Sequence, residues 1–120
     1  MGSKESVRED GEYWIRERCY IRELVNDPEI AEFSLAVARV EPGVITELHS
    51  LSVAEWYVVM EGSGEVEVDG EKRAVGPGDV VSIPADTPQR IQNTGETDLR
   101  FQCVCLPRFS PDSYKVLEGS

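Results

Sequence analysis

His49 is the only histidine in the chain. Glu55 follows it in the stretch TELHSLSVAEWYVVMEG (46–62), at the edge of an apolar run. Imidazole and carboxylate can ligate a divalent metal or move a proton. A lone histidine is too few for most metal sites, and it leaves a catalytic triad short of partners. The other chemistry-bearing residues are Cys19, Cys103 and Cys105. An odd count without a signal peptide argues against a disulfide framework. Cys103 and Cys105 share a strand face with Phe101, and same-strand neighbours about 6.5 Å apart are awkwardly placed for a disulfide. A soft metal would need more ligands than the sequence offers, so these thiols read as reduced core residues.

These side chains must be held by short strands. Turn signals recur through the middle of the chain: NDPE (26–29), EPG (41–43), EGSG (61–64), DG (69–70), GPGD (76–79), PADTP (84–88) and NTGETD (93–98). Between them lie CYIRELV, FSLAVARV, VITELHSL, EWYVVM, EVEVD, EKRAV, DVVSI, QRIQN and LRFQCVC. Strands of this length and spacing indicate an all-β sandwich or barrel. In GEVEVDGEKRAV, apolar and charged residues alternate around Asp69-Gly70, a dipeptide suited to a type I′ hairpin turn. Val66 and Val68 then share one face, and Glu65 and Glu67 the opposite, solvated one. CYIRELV reads as an edge strand. REDGEYWIRER (8–18) is ambiguous and is left unassigned. At the C-terminus, Ser110 sits at a cap, Pro111 at the first helical position, Asp112 in the first turn and Gly119 past the end. That pattern predicts one short helix over 111–118, laid on the barrel through Tyr114 and Leu117.

The 120 residues make one domain, able to bury a core without staples. The barrel is expected over 18–107, with residues 1–10 flexible. Apolar content is 40%, and no apolar run approaches the ~18 residues of a membrane span. The charged first residues lack the apolar segment of a signal peptide, so the expected location is the cytoplasm. A net charge of −11, from 23 acids and 12 bases, disfavours nucleic acid and anionic membranes.

The order of turns and polar residues resembles the cupin superfamily, whose barrels carry two short motifs. The first runs Gly, five residues, His-x-His, three or four residues, Glu, six residues, Gly; here Gly43, His49-Ser50-Leu51, Glu55 and Gly62 hold those places. The second runs Gly, five residues, Pro-x-Gly, two residues, His, three residues, Asn; here Gly78, Pro84-Ala85-Asp86, Gln89 and Asn93 hold them. The resemblance implies a jelly-roll β-barrel of two antiparallel sheets. It departs at three positions: Leu51 and Gln89 replace histidines, and Asp86 replaces a glycine. Of the family's usual shell of three histidines and one glutamate, His49 and Glu55 remain, Gln89 offers an amide, and Leu51 offers nothing.

If the barrel is cupin-like, His49, Glu55 and Gln89 point into it from three neighbouring strands, an N/O/O set with open positions. A divalent transition metal (Zn, Fe, Mn, Cu or Ni) is the cofactor this implies. The amide is a weak ligand for such ions and prefers harder ones. Leu51, Tyr57, Ile91, Asn93 and Phe101 are the expected pocket residues. The alternatives are plainer. A buried histidine is often a hydrogen-bonded core residue. Gln89 would hydrogen-bond His49 or Glu55, and Asn93 would close the turn before Gly95. Glu55 inside a barrel needs a partner, for which Arg90 and Lys72 are the other candidates.

The implied function is therefore binding of a metal and a small organic molecule. If the protein is an enzyme, cupins suggest a dioxygenase, isomerase or lyase. A binding module with a decayed metal shell and a homodimeric scaffold are the competing readings.

Overall fold

The computed structural model describes residues 11–118. The expectations for residues 1–10 and for Gly119 fall outside them.

Dense turn punctuation yields short strands and almost no helix. In chain order they are β1 (Tyr13–Ile15), β2 (Cys19–Val25), β3 (Ser34–Val40), β4 (His49–Leu51), β5 (Ala54–Glu61) and β6 (Gly64–Val68). They continue with β7 (Glu71–Val75), β8 (Val80–Ile83), β9 (Gln89–Asn93), β10 (Leu99–Leu106) and β11 (Tyr114–Val116). One sheet has the order β1-β2-β3-β10-β5-β8 and the other β11-β4-β9-β6-β7. All their pairings are antiparallel.

Alternation sends one face of each sheet inward. Ala38 and Val40 of β3, Tyr57 and Val59 of β5, Ile91 of β9 and Phe101 of β10 are all buried in one core. The β6–β7 turn has φ of 52° at Asp69 and 83° at Gly70, the two left-handed residues of a type I′ turn. Gly62 closes β5 at φ +89°, and a Cβ there would lie 2.6 Å from the Asp98 carbonyl oxygen, so only glycine fits.

Three expectations are corrected. The helix over 111–118 shrinks to a single 3-10 turn, Pro111–Ser113, after which Tyr114–Val116 forms β11. β11 pairs with β4, Tyr114 opposite Leu51 and Val116 opposite His49. The cap and proline do start a turn, but the free hydrogen-bonding edge of β4 outweighs weak local helical preference. Second, CYIRELV is not an edge strand, because the previously unassigned segment supplies β1, which pairs with β2 through a turn containing Arg18 at φ 74°. Third, the three candidate donors do not come from three adjacent strands. His49 and Gln89 are direct cross-strand partners in one sheet, and Glu55 belongs to the other.

Among the described residues, no helix is long and apolar enough to cross a membrane.

Candidate functional site

A cavity of about 340 Å³ lies within the barrel, open to one side, with His49, Leu51, Glu55, Tyr57, Phe101 and Cys103 among its lining residues. Of the expected pocket residues, Ile91 and Asn93 do not line it. Ile91 is fully packed in the core. Asn93 donates to the carbonyls of Val40 (2.9 Å) and Thr97 (2.8 Å) and accepts from the Gly95 N–H (2.8 Å), closing its turn.

His49 is 2% exposed. Its Nδ1 lies 2.7 Å from the Glu47 carbonyl oxygen, which can only accept, so Nδ1 carries a proton and Nε2 is left without a hydrogen-bond partner that close. This is the arrangement of a ligating histidine, one nitrogen anchored and the other free. The ring stacks on Tyr114 at 4.6 Å and 11°. Tyr114 in turn donates to the Glu47 carboxylate at 2.7 Å, and Arg16 donates to its other oxygen at 3.2 Å. Glu47 thus fixes the imidazole through its carbonyl while its carboxylate is held from two sides.

Glu55 faces the opposite condition. It is 6% exposed, and its Oε1 is buried with no hydrogen-bond partner. Burial, and after it the Glu17 carboxylate, push its carboxyl up to about 8, with the Gln89 amide and the Cys105 and Cys103 thiols pulling against them. Neither Arg90 nor Lys72 relieves it. Arg90 pairs with Glu67 at 3.0 Å on the outer face, and Lys72 sits on the exposed strand β7. Gln89, 1% exposed, accepts a 2.6 Å hydrogen bond from the Tyr57 hydroxyl. Burial, then Glu55, then Glu17 hold that hydroxyl well above its ordinary range, so it remains a donor.

Glu17 was not expected here. It comes from the β1–β2 turn, and its Oε2 lies 3.9 Å from His49 Nε2. Burial raises its carboxyl, with His49 the largest opposing influence. Nothing in the local sequence marks this glutamate, because the segment that carries it has no clear period. Glu47 and Tyr114 escaped notice for a related reason: one lies in a loop and the other in the expected helix. The Cys105–Glu55 juxtaposition follows from the β10–β5 register, in which the two are directly opposed.

Do these groups fit the divalent metal typical of such barrels? Two free donors do: His49 Nε2, and Glu55 Oε1, a buried oxygen that has no other partner. The Gln89 carbonyl has one lone pair taken by Tyr57 and a second remaining. Among the described residues, no three His, Cys, Asp or Glu side chains already converge on one point. The donor set suits a cation, and it depends on an amide or on side-chain movement for a third ligand.

Comparison with known proteins agrees with this geometry. Residues 36–105 match the model of the cupin domain family, Cupin_2. The chain is 36% identical over 110 residues to the uncharacterized protein MJ1618 of Methanocaldococcus jannaschii, covering 88% of this chain and 87% of that one. Oxalate decarboxylase from Bacillus subtilis, crystallised at pH 4.6, superposes with a TM-score of 0.76 at 29% identity, over 93% of this chain and 31% of the decarboxylase. Another structure of that enzyme concerns its Mn(II) centres. The polyketide cyclase RemF from Streptomyces resistomycificus has the same fold, with a TM-score of 0.77 at 24% identity, over 100% of this chain and 88% of RemF. With both motifs, both sheets and the family match in agreement, the chain is a member of the cupin family.

Proposed function

We propose that this cupin holds a divalent metal ion in its barrel through His49, Glu55 and the Gln89 carbonyl, and that it binds or acts on a small, partly apolar organic molecule there. The observation that carries this reading is the unpartnered, buried Oε1 of Glu55 in the same cavity as the free Nε2 of His49. A bare carboxylate in such a place is costly, and a cation removes the cost. The Mn(II) centres of the Bacillus subtilis decarboxylase support the choice of ion class. A metal would act as a Lewis acid toward a bound oxygen. The chain's own part is to orient: Glu47 fixes His49, Tyr57 fixes Gln89, and Leu51 and Phe101 form apolar wall beside them. A dioxygenase, isomerase or lyase activity would use such a centre.

The test is elemental analysis of the untagged chain beside its His49→Ala variant. Metal present in the first and lost in the second is expected. Metal-free protein that also takes up no added Mn, Fe, Co, Ni, Cu or Zn contradicts the reading.

One observation favours the metal-free alternative, a binding module for a small ligand. The Gln89 carbonyl already accepts from Tyr57, and Leu51 is apolar. That module would be stabilised thermally by an organic ligand in the presence of a chelator.

A homodimer remains part of the proposal. The outer face of the larger sheet exposes Val80 (53%), Met60 (47%) and Leu106 (44%) beside the half-buried Trp56. Light scattering that returns a monomer removes it. Three free cysteines suit a reducing compartment such as the cytoplasm.

A further inference from the structure

We infer that Glu17 is a further ligand of this ion, supplying from outside the two motifs the donor lost at Leu51. The inference rests on the metal reading above and extends it to a residue outside the 36–105 span of the family match.

Three observations carry it. The first is a distance. Glu17 Oε2 and His49 Nε2 are 3.9 Å apart. That is too long for a hydrogen bond, which ends near ~3.2 Å for a nitrogen donor. A proton on Nε2 would leave this gap unbridged, whereas an ion between the nitrogen and the carboxylate oxygen would satisfy both. Two metal bonds of about 2.1 Å at a tetrahedral angle span about 3.4 Å, so the pair would close by about half an ångström on an ion.

The second is the orphaned Oε1 of Glu55, buried in the same cavity as Glu17 and without a partner of its own. The three side chains do not already converge on one point, and closing Glu17 and Glu55 onto an ion at His49 would give this oxygen one. The set then comprises one imidazole and two carboxylates, neutral overall with a divalent ion, with Gln89 as an added carbonyl. Such oxygen-rich donors favour Mn or Fe over soft copper.

The third is the framing of the turn. The Glu17 carbonyl accepts from the Glu47 N–H at 3.0 Å, and the Glu47 carbonyl accepts from His49 Nδ1. One residue therefore ties the two ligands together. Arg18, next in the chain, locks the turn from outside: its guanidinium makes two 2.9 Å bonds to Glu118 and another to the Ile45 carbonyl. The Glu17 backbone is fixed while its side chain, 16% exposed, keeps room to close on an ion.

The experiment is equilibrium dialysis of the metal-stripped full chain against Mn(II) alone, with folding checked by circular dichroism. Glu17→Gln should weaken binding at least tenfold. Glu23→Gln, at a third carboxylate lining the cavity, should change it less than threefold. Glu17→Cys loaded with Co(II) should gain a thiolate-to-metal charge-transfer band absent from the unsubstituted chain. Equal losses in Glu17→Gln and Glu23→Gln mean a general field and overturn the assignment, as does a missing band. If the chain binds Mn(II), His49→Ala abolishes binding and Glu17→Gln does not, Glu17 is no ligand while the metal reading stands. If the unsubstituted chain binds no metal, both fail.

Discussion

Two buried glutamates, Glu12 just before β1 and Glu55 on β5, are treated in opposite ways. Glu12 is 4% exposed and receives a two-pronged contact from Arg39, at 2.9 and 2.8 Å. Arg39 also reaches Asp98 at 3.2 Å and lies 4.0 Å over the Tyr20 ring. Arg100 approaches Glu12 at 3.6 Å. Glu55 is 6% exposed, and one of its oxygens has no partner. The outer face answers a buried carboxylate with arginine, a permanent cation that stays in place. The inner end of the cavity brings Glu17 and Glu55 near the one imidazole, with no arginine hydrogen-bonded to either carboxylate among the described residues. The same fold that pairs one carboxylate so fully leaves one oxygen of another without a partner, at the proposed metal site.

This contrast can be broken at either end. The largest effect is expected on the outer face. Arg39→Met should destabilise the fold by about 3–5 kcal/mol, because it strands Glu12, read as a lower denaturation midpoint at constant slope. At the cavity, Glu55→Gln should cost the metal-free protein little below pH 8, where the carboxyl already holds a proton, and should raise its melting temperature above it. The same change should weaken metal binding at least tenfold, as seen by calorimetric titration.

A pH dependence follows from Glu55. Its carboxyl lies near 8 in the folded chain and at 4.5 by default. Between those values the native state holds a proton that the unfolded state has lost. Stability of the metal-free chain should therefore be greatest below about pH 4.5 as far as this group contributes, and should fall as pH rises toward 8. Melting curves in chelator across this window should show the decline, and Glu55→Gln should flatten it. The smallest effect belongs to the Arg90–Glu67 pair, at 3.0 Å and partly exposed. Arg90→Ala should cost about 0–1 kcal/mol, lessened further by salt.

Much of the barrel could be read from local pattern, because strand period and turn chemistry are set by neighbours in sequence. CYIRELV, EKRAV and QRIQN coincide with β2, β7 and β9. The Asp69-Gly70 turn has the backbone its dipeptide dictates. What local pattern missed was decided at long range. EYWIRER has no clean period, and its Tyr13–Ile15 becomes a strand by pairing with β2. SPDSYKVLEG carries real helix-start signals, yet β4 offered its tail a sheet edge. The site divides in the same way. His49, Glu55 and Gln89 stand at fixed motif spacings, so their positions were legible. Glu17, Glu47 and Tyr114 reach His49 through a turn, a loop and a strand register that no spacing encodes.

The central claim is that the unpaired side of this contrast exists to hold a cation. Its most direct test is an electron paramagnetic resonance titration of the metal-stripped chain with Mn(II), following the loss of the free-ion signal. Saturation at one ion per chain is expected, lost in His49→Ala and moved to at least tenfold higher Mn(II) in Glu55→Gln. Undiminished free-ion signal at every ratio, or binding that survives both substitutions, would contradict it.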